Sequence, residues 1–194
     1  TADQVKTMAY IGLESEGLRQ QGADYYNCMT RLDALVGELL AKLKASGKYD
    51  DTLIVYLGDH GADLIRGKRT CYEGGVRVPF IVRWPKGQPS QVRRELVSTL
   101  DLFPTFLKVA EAEPVPNLPG RSLLPLLRGE KPKWRQYMPT EFHLHSAHNY
   151  YPQRAIRNER YKLIENLQPG EVDPGYEFTV NRFFGQQVLA ALPK

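Results

Sequence analysis

The chain has 194 residues, 42% of them hydrophobic and 25% charged, with a formal net charge of +4. That length suits one domain with a real core and excludes two large ones, and the composition is that of a soluble globular protein. No Lys/Arg run is dense enough for a nucleic-acid patch, and no segment approaches the roughly 18 consecutive apolar residues of a membrane span.

Residues 1–24 are polar and punctuated by glycine, with short helical potential, and no signal-peptide pattern is visible there. From Tyr25, the residues Met29, Leu32, Val36, Leu39, Leu40 and Leu43 recur at spacings of three and four, which predicts a helix over 23–46. Gly47 stops it, after Lys42 and Lys44 near the negative end of the dipole. Leu53 to Leu57 form a continuous apolar run, which predicts a strand buried on both faces. A helix followed at once by such a strand is the unit of an α/β layered fold. "VPFIVRWP", residues 78–85, is a second strand, and "STLDLFPTFLKVAEA", residues 98–112, a helix with Ser98 or Thr99 as cap. Residues 113–135, rich in Pro and Gly, read as an excursion over the surface. "RAIRNERYKLIEN", residues 154–166, reads as an antiparallel hairpin, and 167–194 as turns and a weakly helical tail. Cys28 and Cys71 allow one disulfide without requiring it, and their spacing matches no zinc pattern.

Between the two strands lies a loop holding Asp59, His60, Lys68 and Glu73 among glycines. Ligands of open α/β sheets bind beyond the carboxyl ends of strands, where Asp59 and His60 sit. A carboxylate and an imidazole can converge on one cation, although two ligands are too few and the others must come from elsewhere. The plainer alternatives are a turn-holding Asp59, a solvated Lys68, and a bend at Glu73-Gly74-Gly75 before the next strand.

The run "TRLDALVGELLAKLKASGKYDDTLIVYLGDHGADLIRGKRTCYEGGVRVPFIVRWPKG" resembles the sulfatase family. The likeness continues through "STLDLFPTFLKVA", "GRSLLPLLRGE" and "RAIRNERYKLIENL", and so covers residues 25–167. "EFHLHSAHNYYPQRAIRNERYKLIENL" is most similar to the heparan N-sulfatase branch. The resemblance implies a partial alkaline phosphatase-like α/β fold, a mixed sheet flanked by helices, with a short hairpin toward the C-terminus. Residues 1–112 would be its core portion and 113–194 the excursion, hairpin and tail.

It also implies hydrolysis of sulfate esters or sulfamates by a formylglycine nucleophile beside Ca²⁺, on a sulfated small molecule or glycan such as glucosamine N-sulfate. Asp59 and His60 would be calcium ligands, and Lys68 would bind the sulfate oxygens. His145 would be the general acid, with His143, His148 and Arg154 as substrate contacts; Arg154 could equally pair within the sheet. The periplasm, the cell exterior or the lysosome is the compartment such a family suggests, and the oligomeric state is open.

The departures matter as well. There is no Cys/Ser-x-Pro-x-Arg motif from which formylglycine is made, and no N-terminal twin-aspartate calcium motif. The 194 residues therefore read as an interior-to-C-terminal slice of a sulfatase, inactive as they stand. The competing readings are a metal-dependent phosphodiesterase or phosphonate hydrolase of the same superfamily, and a non-catalytic chain that keeps the scaffold.

Overall fold

The Ser15 hydroxyl accepts a hydrogen bond from the Leu18 amide at 3.2 Å, and this cap starts helix α1, Glu16–Ala45. The computed structural model describes residues 1–145 and 150–174. α1 begins well before residue 23, where the apolar stripe alone put it. Its first turns bury Leu18, Gly22 and Ala23, and a Cβ on Gly22 would stand 3.8 Å from Val5 Cγ2. The helix ends as expected, at Gly47 with φ +71°. The apolar stripe beyond is only partly covered, and its Leu32 and Leu39 remain 38% and 66% exposed.

Strand β1, Ile54–Leu57, pairs antiparallel with β2, Phe80–Arg83, in a register running from Ile54 opposite Arg83 to Leu57 opposite Phe80. The expectation of a strand buried on both faces needs correction, since all four residues of β1 are half-buried. Burial on two faces requires covering layers, and among the described residues β2 is its one ladder partner.

The loop between these strands sits at the centre of a core. Leu64 and Ile65 pack with Ile11 and Leu18, bordered by Met8, Tyr10, Leu13 and Ala62. Burying aliphatic side chains of this size contributes about 1.5–3 kcal/mol each. The N-terminal segment, polar by composition, thus supplies apolar anchors that hold the loop. Glu73–Val76 forms a single helical turn, α2, instead of the expected bend.

Ser98 caps a 3-10 turn, Thr99–Asp101, that leads into α3, Leu102–Val109. Asp101 is fully buried. Its carboxylate accepts from the Ser98 amide at 2.8 Å, the Arg121 amide at 2.7 Å, and the Arg135 guanidinium at 2.7 and 2.5 Å. Thr105 Oγ1 accepts from the Leu123 amide at 2.8 Å and so draws the next segment in. Leu123, Leu124 and Leu126, in and beside the short helix α4, Leu124–Leu127, are buried. The expected excursion over 113–135 therefore turns back into the core at its "SLLPLL" stretch.

A three-stranded antiparallel sheet follows, built of β3 (Met138–Leu144), β4 (Tyr150–Arg157) and β5 (Lys162–Asn166) in that order. β4 and β5 are the predicted hairpin; Asn158 Oδ1 closes its turn by accepting from the Arg160 and Tyr161 amides at 2.9 and 2.7 Å. β3 was not expected from sequence. Among the described residues, no helix is long and apolar enough to cross a membrane.

Candidate active site

Gly58 N donates to Pro79 O at 3.1 Å, so the chain leaves β1 and returns to β2 through a closed loop. Glycines lock that loop onto itself. A Cβ on Gly61 would lie 1.7 Å from Gly74 O, one on Gly67 2.1 Å from Ala62 O, and one on Gly75 2.3 Å from Thr70 O. Gly61 N donates to Gly75 O at 3.0 Å, and Lys68 N to Ala62 O at 2.8 Å. Arg66 and Arg69, either side of Gly67-Lys68, take φ of +58° and +73°. Left-handed backbone costs a non-glycine residue about 1–2 kcal/mol. This strain is concentrated around Lys68, as is common at ligand-binding loops. Among the described residues, the Lys68 ammonium has no carboxylate partner.

Asp59 and His60 stand together at the end of β1, as the sequence predicted. His60 Nδ1 lies 2.8 Å from Gly61 O. A carbonyl can only accept, so in the neutral imidazole Nδ1 carries the proton and Nε2 keeps a lone pair. That lone pair stands 3.3 Å from Asp59 Oδ2, while Asp59 Oδ1 accepts from the His60 amide at 3.0 Å. With a second proton on the imidazole this contact is an ion pair; with Nε2 bare, the two acceptors have room for a cation beside them. Orientation of the imidazole by a carbonyl at its other nitrogen is the usual support for a metal-ligating histidine. The pair fits a cation as two of its donors, and both side chains open to solvent, Asp59 at 86% and His60 at 44%. Among the described residues no group of three His, Cys, Asp or Glu side chains converges, so a cation here would need donors from outside this set.

The C-terminal sheet is fastened to the same loop by contacts that sequence reasoning missed. Glu73, opening α2, receives Lys162 Nζ from β5 at 2.6 Å and Arg157 Nη1 from β4 at 3.1 Å. Lys162 Nζ also donates to Cys71 O at 2.8 Å, and the Cys71 amide donates to Gln153 Oε1 at 3.1 Å. Burial pushes the Glu73 carboxyl up, but the Lys162 ammonium and the Arg157 and Arg77 guanidiniums outweigh it, and the net shift is below the usual carboxylate range. Burial pushes the Cys71 thiol up; it is a buried free thiol, and Cys28 is free and exposed. The only sequence signal for this junction was a Glu before Gly-Gly and a Lys in the hairpin, neither distinctive alone.

The remaining candidates fall elsewhere. Gln153 faces the loop, so Arg154, its neighbour on β4, projects from the opposite, exposed face, in register between Glu141 and Glu165. His143 is exposed on β3, its Nε2 3.4 Å from Glu141 Oε2. His145 is exposed just past β3. Among the described residues, no hydrogen bond or ion pair joins these three to residues 58–79. His148 lies outside the described residues.

Comparison with known proteins adds a second line of argument. A family model described as "Sulfatase" matches residues 2–112, and one described as "N-sulphoglucosamine sulphohydrolase, C-terminal" matches residues 58–177. An "Ulvan-active sulfatase" of Formosa agariphila is 33% identical over 156 residues, covering 77% of this chain and 30% of that protein. An "N-sulphoglucosamine sulphohydrolase" of Homo sapiens is 31% identical over 194 aligned residues, covering 89% of this chain and 38% of that protein. The chain thus spans about a third of the length of these curated relatives. The solved structure of a 2-O GAG sulfatase superposes with a TM-score of 0.74 at 25% identity, covering 94% of this chain and 43% of the other. That superposition bears out the alkaline phosphatase-like α/β fold expected from sequence.

Proposed function

Since the chain belongs to the sulfatase family, we propose that the protein it represents hydrolyses sulfate esters or sulfamates on a glycan, and that this chain forms the metal-and-anion side of the active site. The observation that carries the reading is the Asp59–His60 pair, two lone-pair donors 3.3 Å apart at the end of a strand. Ca²⁺ held there, with ligands from outside these residues, would supply fixed positive charge opposite the sulfuryl oxygens. The exposed Asp59 carboxylate favours a hard, oxygen-seeking ion. Lys68, on a strained loop and without a carboxylate partner among the described residues, adds a second cation for the non-bridging oxygens. His145 is assigned the proton that goes to the leaving oxygen or nitrogen. Arg154 projects from the face of β4 opposite the loop and His143 lies beside Glu141, so these two are not assigned to substrate. The formylglycine nucleophile belongs to a segment outside these 194 residues, and glucosamine N-sulfate is the substrate favoured by the N-sulphoglucosamine sulphohydrolase likeness.

The test is sulfate release by the longer protein containing this chain, assayed on an aryl sulfate and on N-sulfated glucosamine. Asp59→Asn and Lys68→Ala are each expected to lower kcat/KM about a hundredfold, the usual effect of removing one transition-state electrostatic partner. Wild-type turnover by both variants would overturn the residue assignments. Faster cleavage of a phosphonate monoester than of any sulfate would overturn the sulfatase reading in favour of the phosphonate one.

A further inference from the structure

Among the described residues, Cys71 and Glu73 both take fastenings from the C-terminal sheet. Lys162 reaches both Glu73 and Cys71 O, Arg157 reaches Glu73, and Gln153 reaches the Cys71 amide. Lys162 and Arg157 are largely covered there, with side chains 14% and 26% exposed. Directly after Glu73 come Gly74 and Gly75, whose backbone is pressed against the rest of the loop. Gly75 O accepts from Gly61 N at 3.0 Å, and a Cβ on Gly75 would stand 2.6 Å from Gly67 O, the residue before Lys68. A path of contacts along which a shift of the sheet could travel therefore runs to Glu73, then to Gly75, and on to the backbone beside His60 on one side and Lys68 on the other. Close-packed backbone of this kind cannot absorb the shift with a rotamer change.

We infer that Glu73 and Lys162 are positioning residues: the sheet acts as a clamp that sets where the Lys68 ammonium and the Asp59–His60 pair stand. Their effect on catalysis rests on the sulfate-binding reading of Lys68, whereas the clamp itself rests on contacts alone. Neither residue touches substrate in this scheme, and each acts through the loop.

Hydrogen exchange of the chain decides the clamp without reference to any activity. The Gly61 and Lys68 amides, bonded to Gly75 O and Ala62 O, are followed in wild type, Glu73→Gln, Lys162→Met and Lys162→Arg. The first two variants are expected to speed both amides about tenfold by local opening, with Lys162→Arg close to wild type. The Leu127 amide, bonded to Leu123 O in α4, should exchange at one rate throughout. Unchanged Gly61 and Lys68 rates overturn the inference. So does equal acceleration of Leu127, which would mean that the pair only adds global stability. If Glu73→Gln does not fold, the Lys162→Met and Lys162→Arg pair makes the same comparison. In the longer protein, Glu73→Gln should weaken inhibition by inorganic sulfate about tenfold, and Lys162→Arg should retain it. Sulfate inhibition unaltered in Glu73→Gln would refute the positioning role even where exchange confirms the clamp. A wild-type protein with no sulfate turnover would defeat the sulfatase reading alone, since the exchange result stands apart from it.

Discussion

Gly61→Ala puts a methyl group where the loop has no room for one. The added Cβ would stand 1.7 Å from Gly74 O, 2.7 Å from Gly74 C and 2.9 Å from Gly75 Cα, all backbone atoms. Reaching even a 3.0 Å contact with the oxygen requires a displacement of about 1.3 Å, more than close-packed backbone tolerates without breaking bonds. The nearest bond to fail is Gly61 N to Gly75 O, now 3.0 Å. Overpacking of about 1–3 kcal/mol and one lost hydrogen bond of about 1 kcal/mol give an expected destabilisation of about 2–4 kcal/mol. At about 2–4 °C per kcal/mol for a chain of this size, the thermal midpoint should fall by about 5–15 °C. Gly37→Ala is the control. Gly37 lies inside α1 with nothing within 4 Å of its Cβ position, so helix propensity alone predicts a gain of up to about 1 kcal/mol. Circular-dichroism melts of the two variants give opposite signs if the loop is interlocked as described. A Gly61→Ala midpoint equal to wild type would show that the Gly61–Gly74 contact does not hold the loop.

The buried Asp101–Arg135 pair gives a larger effect. Asp101→Ala strands the Arg135 guanidinium, 13% exposed, and should cost about 3–5 kcal/mol, with Asp101→Ala/Arg135→Met recovering part of the loss in denaturant titrations; equal stability of the single and double variants would refute the coupling. Acid sensitivity follows from Glu73. Its folded-state carboxyl titrates below the ordinary value of 4.5, so its stabilisation is complete above that pH and is lost as pH falls through the depressed value. Glu73→Gln should therefore flatten the slope of stability against pH below about 4.5, and an unchanged slope would contradict the ion-pair geometry.

What could be read from the residues in order was what is encoded over a few positions. The Gly47 stop of α1, the Ser98 cap, both strands around the loop and the β4–β5 hairpin depend on local dihedral preference and periodicity, and each lies where the pattern put it. The placement of Asp59 and His60 at a strand end was legible for the same reason, since adjacency in sequence is already adjacency in space. The start of α1 was missed because its first turns bury only Leu18 with the small Gly22 and Ala23, too few apolar residues to show a period. β3 was missed because Pro139 and Glu141 are poor strand formers, although Met138, Thr140 and Phe142 alternate with exposed residues as those of a half-buried strand do.

Burial of β1 was overestimated, because an apolar run states a preference for covering layers and cannot count how many are present. Glu73, Arg157 and Lys162 were beyond reach of any local pattern. Two strands and a turn more than eighty residues apart in sequence have to meet before their charges mean anything together. The sequence by itself determined which residue types reach the loop after β1, through spacing and backbone preference. Only the tertiary structure decided how rigidly they are held, because that depends on glycine backbones in contact and on a sheet fastened from the far end of the chain.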